Sequence, residues 1–279
     1  MRAALLQLNS GDDPAENLIA TQDLLRHAVQ EGAGFVLTPE VTNCVSTSRA
    51  VQQQVLRTQD DDPTLAALRD QAAQAGIWLL IGSLALKTDD ADGRFANRSF
   101  LIAPSGDIAA QYDKIHMFDV DIGDGESFRE SDGYRPGDQA VIAETPFGTL
   151  GLSICYDLRF PQLYRSLAQA GAQILTIPSA FHPVTGAAHW QPLLRARAIE
   201  TGCYVLAPAQ TGDHPIRQGR PRRSYGHSMA ISPWGEVLAD AGATEDIVFV
   251  DLDLLTVDKA RGRVPSVNSD QKFKAPIRE

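Results

Sequence analysis

The chain has little that would suit it to nucleic acid or to a membrane. Its 279 residues carry 25 Lys and Arg against 35 Asp and Glu, a formal charge of −10, with no basic run. A surface of that sign repels phosphate, so nucleic acid is excluded as a partner. No apolar run approaches the roughly 20 residues of a membrane-spanning helix. The opening string Met1–Leu8 is too short for a secretion signal and turns polar at Asn9, so it reads as a first strand. Cysteine is scarce. Cys44, Cys155 and Cys203 are odd in number and lack paired spacing, which points to a reducing compartment, the cytoplasm. His-Glu-x-x-His and Cys-x-x-Cys are both missing, so no metal is expected. Gly123-Asp-Gly125 lacks the third glycine of a dinucleotide loop. No Pro/Ser linker or shift in composition divides the chain. One domain over 1–279 is expected, with a polar tail from about 265, docked or exchanged.

What is present is an alternation of short β-rich runs with amphipathic stretches. Strands are expected at Ala3–Leu8, Phe35–Thr38, Trp78–Leu86, Arg98–Ala103, Thr149–Ile154, Gln173–Ile177, Tyr204–Ala207, Ser228–Ser232 and Val248–Leu252. Helices are expected at Asn17–Glu31, Pro63–Ala75, Pro161–Ala170 and His189–Thr201, with glycine stops at Gly32, Gly76, Gly171 and Gly202. Between them, Gln111–Gly137 reads as a long irregular, polar loop, a common place for function. The alternation implies an α/β fold with helices covering sheets.

Two strings imitate functional motifs. Gly226-His-Ser228-Met-Ala230 resembles a serine nucleophile elbow, but a strand-like run follows where that elbow needs a helix. Asp119 to Glu130 resembles a calcium loop, but its sixth position is Asp124, not the glycine that the sharp turn requires.

Three other positions carry chemistry. Cys155 ends an apolar strand just before a helix, where the helix dipole would lower a thiol pKa. Glu40 follows the apolar run Phe-Val-Leu-Thr-Pro and suits a general base raised by desolvation. Lys114, in Tyr112-Asp-Lys114-Ile-His116, suits an oxyanion stabiliser. Alone, each has a plainer reading: a buried structural cysteine, a solvated loop acid, a surface lysine.

Together, in this order and spacing, the three strings resemble the carbon–nitrogen hydrolase, or nitrilase, superfamily. The resemblance runs from Ala3 to about Val264. It implies a four-layer α-β-β-α sandwich, homodimers or higher homo-oligomers, a small-molecule substrate and no cofactor. It assigns a base to Glu40, a lysine to Lys114, a nucleophile to Cys155 and a supporting glutamate to Glu130, in Phe128-Arg-Glu130-Ser131; nearby Glu126 lacks that context. Cys155-Tyr-Asp-Leu-Arg-Phe-Pro, Pro178-Ser-Ala-Phe181, Leu194-Arg-Ala-Arg-Ala-Ile-Glu200 and Ser224-Tyr-Gly-His-Ser-Met are similar to the branch of amidases that act on deaminated glutathione. The implied reaction releases α-ketoglutarate and Cys-Gly through a Cys thioester. Ala187 stands where that branch usually has proline. Tyr156, Arg159, Phe181 and Thr185 are the implied substrate-binding residues, with Arg195 and Arg197 weaker. An ω-amidase acting on α-ketoglutaramate, another amidase, a carbamoylase, a nitrilase, or a binding protein that kept the fold remain as alternatives.

Overall fold

The computed structural model describes residues 1–123, 126–269 and 271–277. In the first half, β1 (Arg2–Gln7), α1 (Pro14–Gln30), β2 (Phe35–Leu37), α2 (Arg49–Val55), α3 (Pro63–Ala75), β3 (Trp78–Leu86), β4 (Ala96–Ile102) and β5 (Ile108–Asp113) follow one another. A hairpin, β6 (Asp119–Gly123) and β7 (Glu126–Arg129), leads on to β8 (Ile142–Thr145), β9 (Gly148–Leu152), α4 (Pro161–Gln169) and β10 (Ile174–Thr176). Then come α5 (Pro183–Thr201), β11 (Tyr204–Ala207), β12 (Thr211–Asp213), β13 (Arg223–Tyr225), β14 (Met229–Ile231), β15 (Val237–Asp240), β16 (Asp246–Asp251) and α6 (Leu255–Arg263).

Twelve of the thirteen expected elements lie within three residues of their observed bounds, for local reasons. Asp13 caps α1 by accepting from the Ala15 and Glu16 amides, with Pro14 in the first turn. Gly76 and Gly202 close α3 and α5 in the left-handed region, at φ 65° and 63°. Two readings are corrected. Gln111–Gly137 is not one loop: it holds the end of β5 and the β6–β7 hairpin, whose acids hide the alternation of a half-exposed ribbon. Helix α5 starts at Pro183, before the expected His189, because proline fits a first helical turn. Helix α2 has no amphipathic signature to announce it. In the calcium-like string, Asp124 and Gly125 lie outside the described residues. Of its other acids, Asp121 pairs with Arg129, and Asp119 accepts from the Ser131 amide and hydroxyl. The Ser228 hydroxyl is fully buried and accepts from the Ala209 amide, and strand β14 follows it.

The strands form two six-stranded sheets, ordered β16-β1-β2-β3-β4-β5 and β15-β14-β11-β10-β9-β8. Each has three parallel strands at its centre, β1-β2-β3 and β9-β10-β11, flanked by antiparallel ones. Ala3, Leu5, Phe35, Leu37 and Leu80 of the first sheet share one core with Leu150, Leu152 and Ile174 of the second. Alternate residues of the first sheet, Ala4, Leu6, Val36, Leu79 and Ile81, pack on Leu25, Ala28, Leu65, Leu68 and Ala72 of α1 and α3. Helices α4 and α5 cover the second sheet through Tyr164, Leu167, Trp190 and Leu194. The result is the four-layer α-β-β-α sandwich. After α6, residues 266–268 dock on α4, with Val267 buried and its carbonyl bonded to Gln169. Among the described residues no helix is long and apolar enough to cross a membrane.

Candidate active site

The charged centre is built where strands end. Glu40 lies just beyond β2, Lys114 directly after β5, and Cys155 just beyond β9. Strands β2, β3 and β5 run the same way, so their carboxyl ends meet at one edge, the usual place for a site in an α/β sheet. Strand β4 runs oppositely and brings its second residue, Asn97, to that edge. Gly82 lets the chain leading to Glu40 cross β3: a Cβ there would stand 2.0 Å from the Thr38 carbonyl oxygen.

Lys114 Nζ donates to Glu40 Oε1 at 2.8 Å and to Glu130 Oε1 and Oε2 at 3.0 and 2.8 Å. Asn97 Nδ2 donates to Glu40 Oε1 at 2.9 Å and to Glu130 Oε1 at 3.4 Å. The Ala180 amide donates to Glu40 Oε2 at 2.8 Å, and the Phe118 amide to Glu130 Oε2 at 2.6 Å. Lys114 is 2% and Glu40 4% exposed, so these pairs act with little solvent screening.

Burial alone would raise Glu40, as the sequence led one to expect, but the Lys114 ammonium overrides it and holds the carboxyl below its usual range. Burial likewise opposes the charge on Lys114, and Glu130 and Glu40 overcome it, raising its pKa well above the ordinary lysine value. Cys155 moves the other way. Burial and then the Glu40 charge push its thiol well above the usual range, and Lys114 offsets this only in part. The expected lowering by a helix end is overturned because α4 begins only at Pro161. Cys155 itself starts a short 3-10 turn, Cys155–Arg159, and is 6% exposed. The resting site therefore holds a carboxylate, an ammonium and a neutral thiol.

Cys155 has φ +48°, the left-handed region, which costs a non-glycine residue roughly 1–2 kcal/mol. Its amide donates to the Pro178 carbonyl at 2.9 Å. The turn is held by Asp157, which is fully buried. Asp157 accepts from the Ile154 amide at 2.9 Å, the Tyr112 hydroxyl at 2.7 Å and the His116 amide at 3.0 Å, and lies 2.7 Å from His116 Nδ1. Tyr112 and His116 flank Lys114, so this one carboxylate ties the lysine segment to the cysteine turn.

Glu40, Lys114, Glu130 and Cys155 face one cavity of about 400 Å³. Tyr156, Phe181 and Thr185 line it, as does Cys44, whose buried thiol is pushed up to about 12. Arg159 does not line it; its guanidinium lies 3.2 Å from His189 Nδ1 and over the rings of Tyr156 and Phe181. Arg195 and Arg197 also point elsewhere. Arg195 bonds the Gly235 carbonyl. Arg197, far from being solvated on its helix, is buried, bonds the Leu158 carbonyl and pairs with Glu200. The arginines that do reach the cavity include Arg220 and Arg222, in the β12–β13 connection. Sequence reasoning missed these two, along with Asn97 and Asp157. None has a local signal beyond its own residue type.

Residues 2–262 match the carbon-nitrogen hydrolase family. The chain belongs to that family. The hydrolase is similar to deaminated glutathione amidases of Yersinia enterocolitica (38% identity, 94% of this chain and 90% of that protein) and Dictyostelium discoideum (40%, 96% and 92%). Its fold superimposes on the crystal structure of the Caenorhabditis elegans NitFhit protein with a TM-score of 0.86 and 36% identity, over 95% of this chain and 63% of that one. The hydrolase thus acts on carbon–nitrogen bonds other than peptide bonds, as an amidase on a small substrate.

Proposed function

We propose that the protein is a thiol amidase for a small α-keto acid amide, deaminated glutathione, which it splits into α-ketoglutarate and Cys-Gly. The observation that carries the mechanism is the Lys114 ammonium held between Glu40 and Glu130 beside a neutral Cys155. A neutral thiol needs a base at the moment of attack, and Glu40, ionised and in contact with it, supplies one. Cys155 Sγ attacks the amide carbon as Glu40 takes the thiol proton. Lys114 Nζ and the Tyr156 N–H, at the open start of the 3-10 turn, receive the oxyanion. The amine leaves with the proton from Glu40, and a thioester remains on Cys155. Glu40 then takes a proton from water, which releases the acid and restores the thiol. Glu130 keeps Lys114 charged and aimed. Tyr156, Phe181 and Thr185 wall the substrate.

The substrate reading is supported by the relatives named deaminated glutathione amidase. The test is a side-by-side measurement of keto acid release from deaminated glutathione and α-ketoglutaramate, with a nitrile and an N-carbamoyl amino acid as controls. A higher kcat/KM on the first compound is expected. The reverse order would make the protein an ω-amidase, and turnover of the nitrile alone would overturn the amidase reading. A homo-oligomer belongs to the same reading. Ile199, Trp234 and Leu238, exposed at 53%, 50% and 45%, support it, and sedimentation as a single 30.2 kDa chain would overturn it.

A further inference from the structure

A second chamber of about 310 Å³ adjoins the first and shares Phe118, Phe128, Arg220 and Arg222 with it. It contains no group of the charged centre. Its titratable walls are His182, Asp213 and three arginines, Arg220, Arg222 and Arg223, on a protein whose net charge is −10. Arg223 faces Asp213 at 3.7 Å. The other two are uncommitted. Half-buried Arg222 donates only to the Ala180 carbonyl, at 3.3 Å, and exposed Arg220 has no acidic partner among the described residues. Their backbone, in contrast, is pinned. Thr47 Oγ1 donates to the Arg220 carbonyl at 2.8 Å, and Asp12 accepts from the Arg217 amide at 2.9 Å. His214 joins Ser10 to Ser224, at 2.8 Å on each side. Two guanidinium groups held on an anchored arm, facing a cavity and lacking an anion, are suited to a carboxylate.

Which carboxylate follows from the order of the reaction. The acyl group must stay on Cys155, in the inner chamber, while water enters. The amine departs first and needs a route outward. The second chamber adjoins the inner one and has exposed residues, Arg220, Pro221 and Arg223, on its rim, so it opens outward. We propose that Arg220 and Arg222 bind the terminal carboxylate of the leaving amine in this second chamber, and that this contact sets the preference for a dipeptide amine over ammonia. The inference rests on the substrate reading above and adds the residues that enforce it.

The test compares two substrates that differ only at that carboxylate: deaminated glutathione and its analogue with a glycine carboxamide terminus. Wild type should favour the acid by on the order of 10- to 100-fold in kcat/KM, the range expected for hydrogen bonds to a charged group. In the double variant Arg220→Ala/Arg222→Ala that ratio should fall to near one. The ratio is the readout because Arg222 also bears on Glu40, so its loss is free to slow both substrates alike. An unchanged ratio in the variant would overturn the proposal, as would equal rates on the two substrates in wild type. An equal loss on both dipeptide substrates and on α-ketoglutaramate, with the ratio kept, would also overturn it, moving the arginines to the acyl end. Turnover of α-ketoglutaramate with neither dipeptide substrate cleaved would instead bring down the substrate reading itself.

Discussion

The inner chamber and the arginine arm beside it treat charge in opposite ways. Behind Cys155 every charge is answered: Lys114 by two carboxylates, each carboxylate by backbone and Asn97 donors. On the arm, Arg220 and Arg222 make no ion pair among the described residues. The first is a closed unit. Removing one member strands the others in low dielectric, at roughly 3–5 kcal/mol for a buried pair. The second is open, and its members can be removed with little cost to the fold. Chemistry is thus built into the buried centre, while selectivity is left to a loop that a ligand completes.

The sharpest break in that contrast is at the nucleophile. Cys155→Ser should drop keto acid release to background while circular dichroism stays unchanged, since serine keeps size and polarity but ionises far less readily. Turnover comparable to wild type would remove the thioester. Next, Glu40→Gln should stop acylation, and Lys114→Met should lower kcat by about 10²–10³-fold, the loss of one oxyanion donor. Lys114→Met also leaves Glu40 and Glu130 facing each other, so its melting temperature should fall as well. Cys44→Ala and Cys203→Ala should retain most activity; the Cys203 thiol is buried against the Ala172 carbonyl and Arg261. Iodoacetamide labelling read by peptide mass separates the three thiols.

The same division explains what could be read in advance. The helices and central strands were legible because caps, glycine stops and apolar runs are local features, as at Asp13, Gly76 and Phe35–Leu37. Glu40, Lys114, Glu130 and Cys155 could be singled out because each sits in a string tied to a strand end or turn. Their electrostatics could not. Desolvation and helix-dipole arguments gave the wrong direction for both Glu40 and Cys155: at the glutamate the deciding charge is a lysine 74 residues away in sequence, and at the cysteine burial and the Glu40 charge decide, with no long helix starting beside the thiol. Asp157 and Asn97 act through partners that only the packed sheets supply. The arginines show the opposite failure. Arg195 and Arg197 lie in a distinctive string yet bond to the protein itself, and Arg220 and Arg222 lie in an ordinary loop yet reach the cavity.

The smallest expected effect tests the arm's anchor. His214 Nδ1 faces the Ser10 carbonyl, which can only accept, so Nδ1 carries a proton, and in the neutral ring Nε2 accepts from the Ser224 hydroxyl. Burial, and then the nearby Arg222 charge, lower its pKa to about 4. A histidine whose folded pKa lies below the ordinary 6.5 binds more protons unfolded than folded between those values. Stability should therefore fall as pH drops from about 6.5 towards about 4, by up to a few kcal/mol. Glu40 also loses its contribution on acidification, but only once pH passes below the ordinary carboxylate value of 4.5, so the upper part of the window isolates the histidine. Urea unfolding of wild type at pH 7 and pH 5 should show the drop, and His214→Gln, less stable at pH 7, should show little further loss at pH 5. An equal pH dependence in both proteins would mean that the arm's anchor does not titrate with the fold.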